Sequence, residues 1–319
     1  VSDPVALADV LAKSPAAKAL KEKIPAPATR NETEYYVPQS LPDDIQCDYC
    51  DDIERILSAR RKLATKLAQH LAKADTNLKV EAALIRAADI LTPLQPVACE
   101  PTLQPLIDQS ERIAVDKAVE KLLPAGFSSG ETGVRMLDVR PRNELELVPY
   151  MLYESLDLPL VELKHLVDGW SYEVKSTIFE SYLTAYPQGK ALANASYGFD
   201  CFTDMQAVTT LPDELRGSLS LQQLTPRYGY DMPKEVEEAE LTDDYDAIFD
   251  MSLQLQSSLQ ARRFQSEAQY ATLLGHKQRW HVRTTALALK SEGGNASLQQ
   301  MRTQTAEAHS LIMNNERST

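Results

Sequence analysis

Few side chains in this sequence are spaced to do chemistry, and the spacing decides what each can do. Cys47-Asp48-Tyr49-Cys50 is a CxxC pair. A structural zinc site needs four ligands, and neither a second CxxC nor an HxxxH accompanies it. A redox dithiol needs a lowered thiol pKa, which positive charge or a helix N-terminus provides. Asp43, Asp44, Asp48, Asp51 and Asp52 surround this pair, and their charges disfavour the thiolate. The pair reads as two ordinary thiols near a helix start, and Cys99 and Cys201 are isolated. The histidines are His70, His165, His276, His281 and His309, with no HExxH among them. No metal site and no catalytic residue is expected, and no GxSxG nucleophile turn occurs. The run Glu235, Glu237, Glu238, Glu240, Asp243, Asp244, Asp246 reads as a solvated acidic helix start.

One group differs. Arg262, Arg263, His276, Lys277, Arg279, His281 and Arg283 gather basic charge around Trp280. Arginine beside a flat aromatic ring can hold the phosphate and the ring of a nucleotide or flavin. The alternative is a helix whose basic side chains lie along the surface beside an acidic partner.

Composition limits the rest. With 319 residues, at roughly 150 per domain, about two domains are expected. Lys and Arg total 33 against 46 Asp and Glu, for a net charge of -13. Such a chain repels nucleic acid and anionic lipid, so direct nucleic-acid binding is not expected. Glycine numbers 11, about half the usual share, and neither GxGxxG nor GxxxxGK[ST] occurs. No apolar run approaches the ~18 residues of a membrane span. Four cysteines in this length suit a soluble protein of a reducing compartment. The chain starts at Val1, and Val1–Ile24 is predicted as a short amphipathic helix without a hydrophobic signal core. A trimmed leader, which would fit the mitochondrial matrix, and a simple boundary, which would allow the cytoplasm, both stay open.

The elements that must position these residues are mostly helical. Apolar residues recur at three and four through Asp51–Lys73 and Lys79–Leu91, the latter ended by Pro93 and Pro96. Glu100–Leu123 is predicted helical, and Pro124–Gly130 marks a linker. Val134–Val139 and the aromatic-rich Ala195–Phe202 are predicted strands. Arg142–Leu156, Leu160–Asp168, Tyr172–Ala185, Thr242–Ala271, Arg279–Lys290 and Ser297–Met313 are predicted helices, and Thr209–Tyr230 is irregular.

Several segments resemble flavin-dependent thymidylate synthase, in the duplicated long form of the ThyX-like family. Met151-Leu152-Tyr153-Glu154 is followed by Leu160-Val161-Glu162-Leu163. Asn194-Ala195-Ser196-Tyr197-Gly198-Phe199-Asp200 is similar to the family's NASYxFD, and Leu224–Pro233 to its LTPRxGYDxP. Ala268-Gln269-Tyr270, Gly275-His276 and Arg279-Trp280 follow its AQYxxxxGHxxRW, and His309-Ser310-Leu311-Ile312 resembles its closing HRLI. The likeness covers about Leu137–Ile312. More weakly, Tyr35-Tyr36-Val37-Pro38 and Arg86–Leu91 resemble the end of an N-terminal ThyX-like half.

The resemblance implies an α+β fold, mainly α. It implies a ThyX-like α/β unit with a small sheet over residues 126–319, preceded by an α-helical region, a remnant of the other half, over 1–125. It also implies FAD, NADPH and methylenetetrahydrofolate used to methylate dUMP, in oligomers with sites between subunits. The cofactor-binding residues it would assign are Arg227, Arg279, Trp280 and Arg283. Yet the family's Arg-His-Arg signature is absent: Ala207-Val208-Thr209 stands in its place, Ser220-Leu221 replaces the charged pair before LTPR, and Thr285 and Leu287 replace an Asn and an Arg. Arg302 persists, and Arg216 lies in the longer Thr210–Ser220 stretch. Two guanidinium groups that hold phosphate and polarise rings are hard to replace. The expectation is therefore a pseudoenzyme that needs no cofactor and serves as a structural or interaction subunit of an oligomer or larger complex. The alternative is an active FAD-dependent thymidylate synthase.

Overall fold

The computed structural model describes residues 35–99, 103, 131–216 and 218–313. In chain order its elements are α1 (Asp43–Ala74), α2 (Val80–Ile90), β1 (Gly133–Arg140), α3 (Val148–Tyr153), α4 (Leu160–Asp168), α5 (Tyr172–Ala185), β2 (Ser196–Asp204), α6 (Met205–Thr209), α7 (Asp213–Arg216), β3 (Leu219–Leu221), α8 (Lys234–Glu238), α9 (Thr242–Ala261), β4 (Lys277–Thr285), α10 (Ala286–Leu289), α11 (Ala296–Ala308) and α12 (Ser310–Met313). The class is α+β, mainly α, with a four-stranded antiparallel sheet. The helices expected over Val1–Ile24 and Glu100–Leu123, and the boundary expected at 125/126, lie outside the described residues.

The described chain divides into two compact units, one within Val1–Gln104 and Thr225–His276, the other within Pro105–Leu224 and Lys277–Thr319. In the first, α1 buries Ile53, Ile56, Leu57, Leu63, Leu67 and Leu71 on one side and packs on α2 and α9. Cys47 and Cys50 lie in its first turns and form no disulfide. Lys66 meets Asp244 at 2.6 Å and Arg262 meets Asp48 at 2.8 Å, so α1 and α9 are also joined by charge at their exposed edges.

A short ladder fixes the end of this unit. Leu274 N–H donates to the Gln95 carbonyl at 2.8 Å, Gly275 N–H to that of Pro93 at 2.7 Å, and Val97 N–H to that of Thr272 at 2.8 Å. The approach is so close that a Cβ on Gly275 would lie 2.8 Å from Pro93 Cβ, which is why glycine stands there. His276 follows, 1% exposed. Its Nδ1 accepts from Leu273 N–H at 3.0 Å, so the neutral ring carries its proton on Nε2. Its edge faces Phe249 at 4.7 Å, and Phe249 stacks on Tyr230 at 3.7 Å. Tyr230 donates in turn to Asp246 at 2.6 Å.

The second unit is built on the sheet, in strand order β1-β2-β4-β3. Alternation gives it two unlike faces. Tyr197, Phe199, Cys201, Leu219, Leu221, Trp280 and Val282 are buried on one face, which α11 covers at β1 and β2. Leu137 bulges out of β1 between Met136 and Asp138. The free edge of β1 is occupied by a side chain: Gln304 donates to the Val134 carbonyl at 2.6 Å and accepts from Met136 N–H at 2.7 Å. One amide thereby imitates a neighbouring strand and blunts the edge.

The helix expected over Arg279–Lys290 is a correction: Lys277–Thr285 is strand β4, and only Ala286–Leu289 is helical. The alternating buried and open positions and the β-branched Val282, Thr284 and Thr285 favour a half-buried strand. The single helix expected over Ser297–Met313 breaks at His309. There Tyr197 hydroxyl and His309 Nδ1 share a hydrogen bond of 2.8 Å, and Glu144 accepts the N–H groups of Leu311 and Ile312 at 3.0 Å each. Burial and the nearby Glu144 carboxylate both push the Tyr197 phenol pKa up, which keeps it neutral.

Burial pushes the His276 pKa down to about 3, only partly opposed by its backbone hydrogen bond. An unfolded histidine titrates near 6.5, so the stabilisation is complete above that pH and is lost progressively as pH falls toward about 3. The stability of the protein in urea should therefore carry a slope of roughly 1.4 kcal/mol per pH unit below about pH 6 from this one residue. His276→Gln should remove that part of the slope between about pH 6 and pH 5. An unchanged slope would contradict the buried neutral ring.

Candidate functional site

The basic cluster seen in the sequence is divided between the two units. Arg262, Arg263 and His276 belong to the first unit, while Lys277, Arg279, Trp280, His281 and Arg283 belong to the second. Arg262 is paired with Asp48, and Arg263 lies in the left-handed region, φ 71°, where α9 ends. His276 is buried among aromatic rings.

On β4 the period of two separates the remaining members. Trp280 points inward and is 1% exposed, with its indole N–H donating to Thr203 Oγ1 at 2.9 Å. It is core, and offers no face for a ligand ring to stack on. Lys277, Arg279, His281 and Arg283 point to the other face. The register sets Phe202 opposite Arg279, Asp200 opposite His281 and Gly198 opposite Arg283. Arg279 lies over the Phe202 ring at 4.8 Å, and Arg283 reaches Asp138 on β1 at 2.8 Å. Arg135, Asp138 and Arg140 of β1 share this face with Asp200 and Asp204 of β2. Arg135, Arg140, Lys277, Arg279 and Arg283 thus stand against Asp138, Asp200 and Asp204, a small basic excess in an acidic chain. Fixed charges in rows on an open sheet can recognise a charged surface.

Arg227 lies in the first unit, on the 3-10 turn Pro226–Tyr228. Thr225 caps that turn by accepting Arg227 N–H at 3.2 Å, and the guanidinium donates to Gln260 at 3.2 Å. Arg302, which persists from the family pattern, holds three carbonyls, those of Leu289 at 2.7 Å, Gly293 at 3.0 Å and Ser291. It closes the turn after α10 with three of its five N–H donors. Arg216 pairs with its own helix neighbour Asp213 at 2.9 Å.

The Ala207-Val208-Thr209 segment forms most of α6. Asp204 caps this helix by accepting Ala207 N–H at 2.8 Å, and Met205 and Val208 are fully buried. Asn295 then ties it down. Its amide donates to the Ala207 carbonyl at 2.5 Å and to Thr210 Oγ1 at 2.8 Å, while its oxygen accepts Leu298 N–H at 3.0 Å and caps α11. One asparagine therefore joins two helices that are 88 residues apart in sequence. Thr285, in place of the family's Asn, caps α10 by accepting Ala288 N–H at 3.3 Å. Sequence reasoning missed Asp204 and Asn295, although Asn before Ala296 and Ser297 is a legible helix start.

Among the described residues no group of His, Cys, Asp and Glu is placed to hold a metal ion, and no helix is long and apolar enough to cross a membrane. No protein-family model and no curated protein matches the sequence. A solved structure that is similar is that of the UMP/dUMP methylase PolB from Streptomyces cacaoi bound with 5-Br dUMP. It is 11% identical, with a TM-score of 0.44 over 58% of this chain and 94% of that one.

If the joint at α6 is structural, Asn295→Ala should cost about 1–2 kcal/mol, from a lost cap and a part-buried carbonyl left without its partner. Chemical denaturation measures this. A cost within ~0.5 kcal/mol, the usual range of surface changes, would contradict it.

Proposed function

We propose that this chain is a ThyX-like protein without flavin chemistry, acting through protein contacts as a subunit of a larger assembly. The observation that carries the reading is the state of α6. Where the family places Arg-His-Arg, Val208 is in the core and the Ala207 carbonyl is held by Asn295. A cation restored at position 208 would enter apolar packing.

Of the four residues that the resemblance assigns to cofactor binding, Trp280 fits a flavin poorly. Trp280 is buried with its N–H satisfied, and Arg302, which persists in the sequence, is used on backbone carbonyls. The Arg283–Asp138 pair is weaker support. It is exposed, pairs of this kind are worth about 0–1 kcal/mol, and a phosphate could displace it. The outer sheet face, with its rows of Arg, Lys and Asp, suits contact with another protein better than a small anionic cofactor. None of the four cysteines forms a disulfide, which suits a reducing compartment, and the mitochondrial matrix is the first to test.

Two measurements decide between this reading and the enzyme. The purified protein should be colourless in the flavin absorbance region. It should form no dTMP from dUMP with FAD, NADPH and methylenetetrahydrofolate. Stoichiometric bound flavin or turnover would overturn the proposal. Native purification should recover the chain in a large stable particle, and recovery only as a free monomer would count against the subunit role.

A further inference from the structure

A pocket of about 360 Å³ opens in the second unit, where β1 ends and α3, α4 and α5 meet. Its volume is that of a small-molecule site. Three cations line it, each from a different element: Arg140 from β1, Lys164 from α4 and Lys175 from α5. Arg140 is partly engaged by Asp138 at 3.2 Å. The two lysines meet only neutral oxygens. Lys164 Nζ contacts the Tyr150 hydroxyl at 2.9 Å, and Lys175 Nζ donates to the Asp168 carbonyl at a long 3.5 Å. Two ammonium groups line one pocket and neither is ion-paired with a carboxylate, in a chain of net charge -13. That is an arrangement an anion would relieve.

The rest of the lining narrows the ligand. Asn143 uses its side-chain oxygen on Leu145 N–H, which leaves its NH2 to donate. Asn194 uses its NH2 on the Ala191 carbonyl, which leaves its oxygen to accept. The carboxylates of Glu146 and Asp168 also border the pocket. They would repel a second acid on the ligand but accept from hydroxyls. Tyr150 is the one aromatic ring of the lining, and the Lys164 ammonium already lies 4.9 Å over it, so no base or flavin ring can stack on that side of it. The lining suits one doubly charged group bearing hydroxyls, and offers no stacking face on the Lys164 side of Tyr150.

We infer that this pocket binds a phosphomonoester of a short polyol or sugar, with the phosphate on Lys164, Lys175 and Arg140 and the hydroxyls on Asn143, Asn194 and the two carboxylates. This site is separate from β4 and α6, and it stands whether or not the proposed function does.

The test is calorimetric titration of the full chain with glycerol 3-phosphate. Saturable binding is expected, with inorganic phosphate weaker and glycerol silent. Lys164→Met and Lys175→Met should each weaken binding about tenfold or more, the worth of one charge-assisted contact. Lys190→Met, a surface lysine outside the pocket, should change nothing. Both pocket lysines reach solvent, so the variants should unfold at the parent midpoint, and Lys175→Gln is the milder substitution if one does not. No saturation up to about 10 mM, or equal binding by both lysine variants, would overturn the site. Equal affinity for inorganic phosphate would overturn the polyol half of the assignment.

Discussion

The register of β4 on β2 is the constraint on which the second unit depends. Nine residues, Lys277–Thr285, pair with Asp204–Ser196 without a break. A slip of one position would turn Trp280 and Val282 to solvent and bring Arg279, His281 and Arg283 into the core. Burying those charges unpaired would cost far more than the sheet gains. The register is therefore held by Trp280, the largest fully buried side chain, and by its indole bond to Thr203. β3 adds to this by pairing Leu219 with Val282 and Leu221 with Trp280. α11 follows by covering the inner face, and Gln304 seals the β1 edge.

From this follows the use made of the charged residues. The strand fixes Arg279 over Phe202 and Arg283 beside Asp138, so both are parts of an ordered outer face. The segment that would have to supply more cations, α6, leads directly from β2 and is packed by Val208 and closed by Asn295. Residues that resemble a cofactor-binding family are thus found doing what a fold needs: capping, stacking and closing turns. Gly275, next to His276, is there because Pro93 leaves no room for a side chain.

Much of the fold was legible in the sequence. The ranges Leu160–Asp168 and Tyr172–Ala185 match α4 and α5, because each begins after a helix-starting Pro159 or Ser171 and keeps an apolar stripe. β1 and β2 were legible from alternation. β4 was not, because Arg279 and Arg283 are four apart, a spacing that fits both a helix face and a strand face. Val282, Thr284 and Thr285 were the signal that could have separated them. The candidate site was harder to read. Sequence does not say which strand face is covered, so it leaves Trp280 available to a ligand. The α6 joint depends on Asn295 reaching back across 88 residues, and no local pattern predicts that contact. The pocket of Lys164 and Lys175 is likewise assembled from three separate elements.

The central claim is that the arginines and tryptophan of β4 serve the fold and hold no flavin. Linkage tests it most directly, because any ligand of the native state must raise its stability. The urea midpoint of the full chain should be the same with and without FAD. At about a hundredfold excess over a dissociation constant, a true ligand adds roughly 2.7 kcal/mol. A shift of that size, abolished by Arg279→Met, would contradict the account.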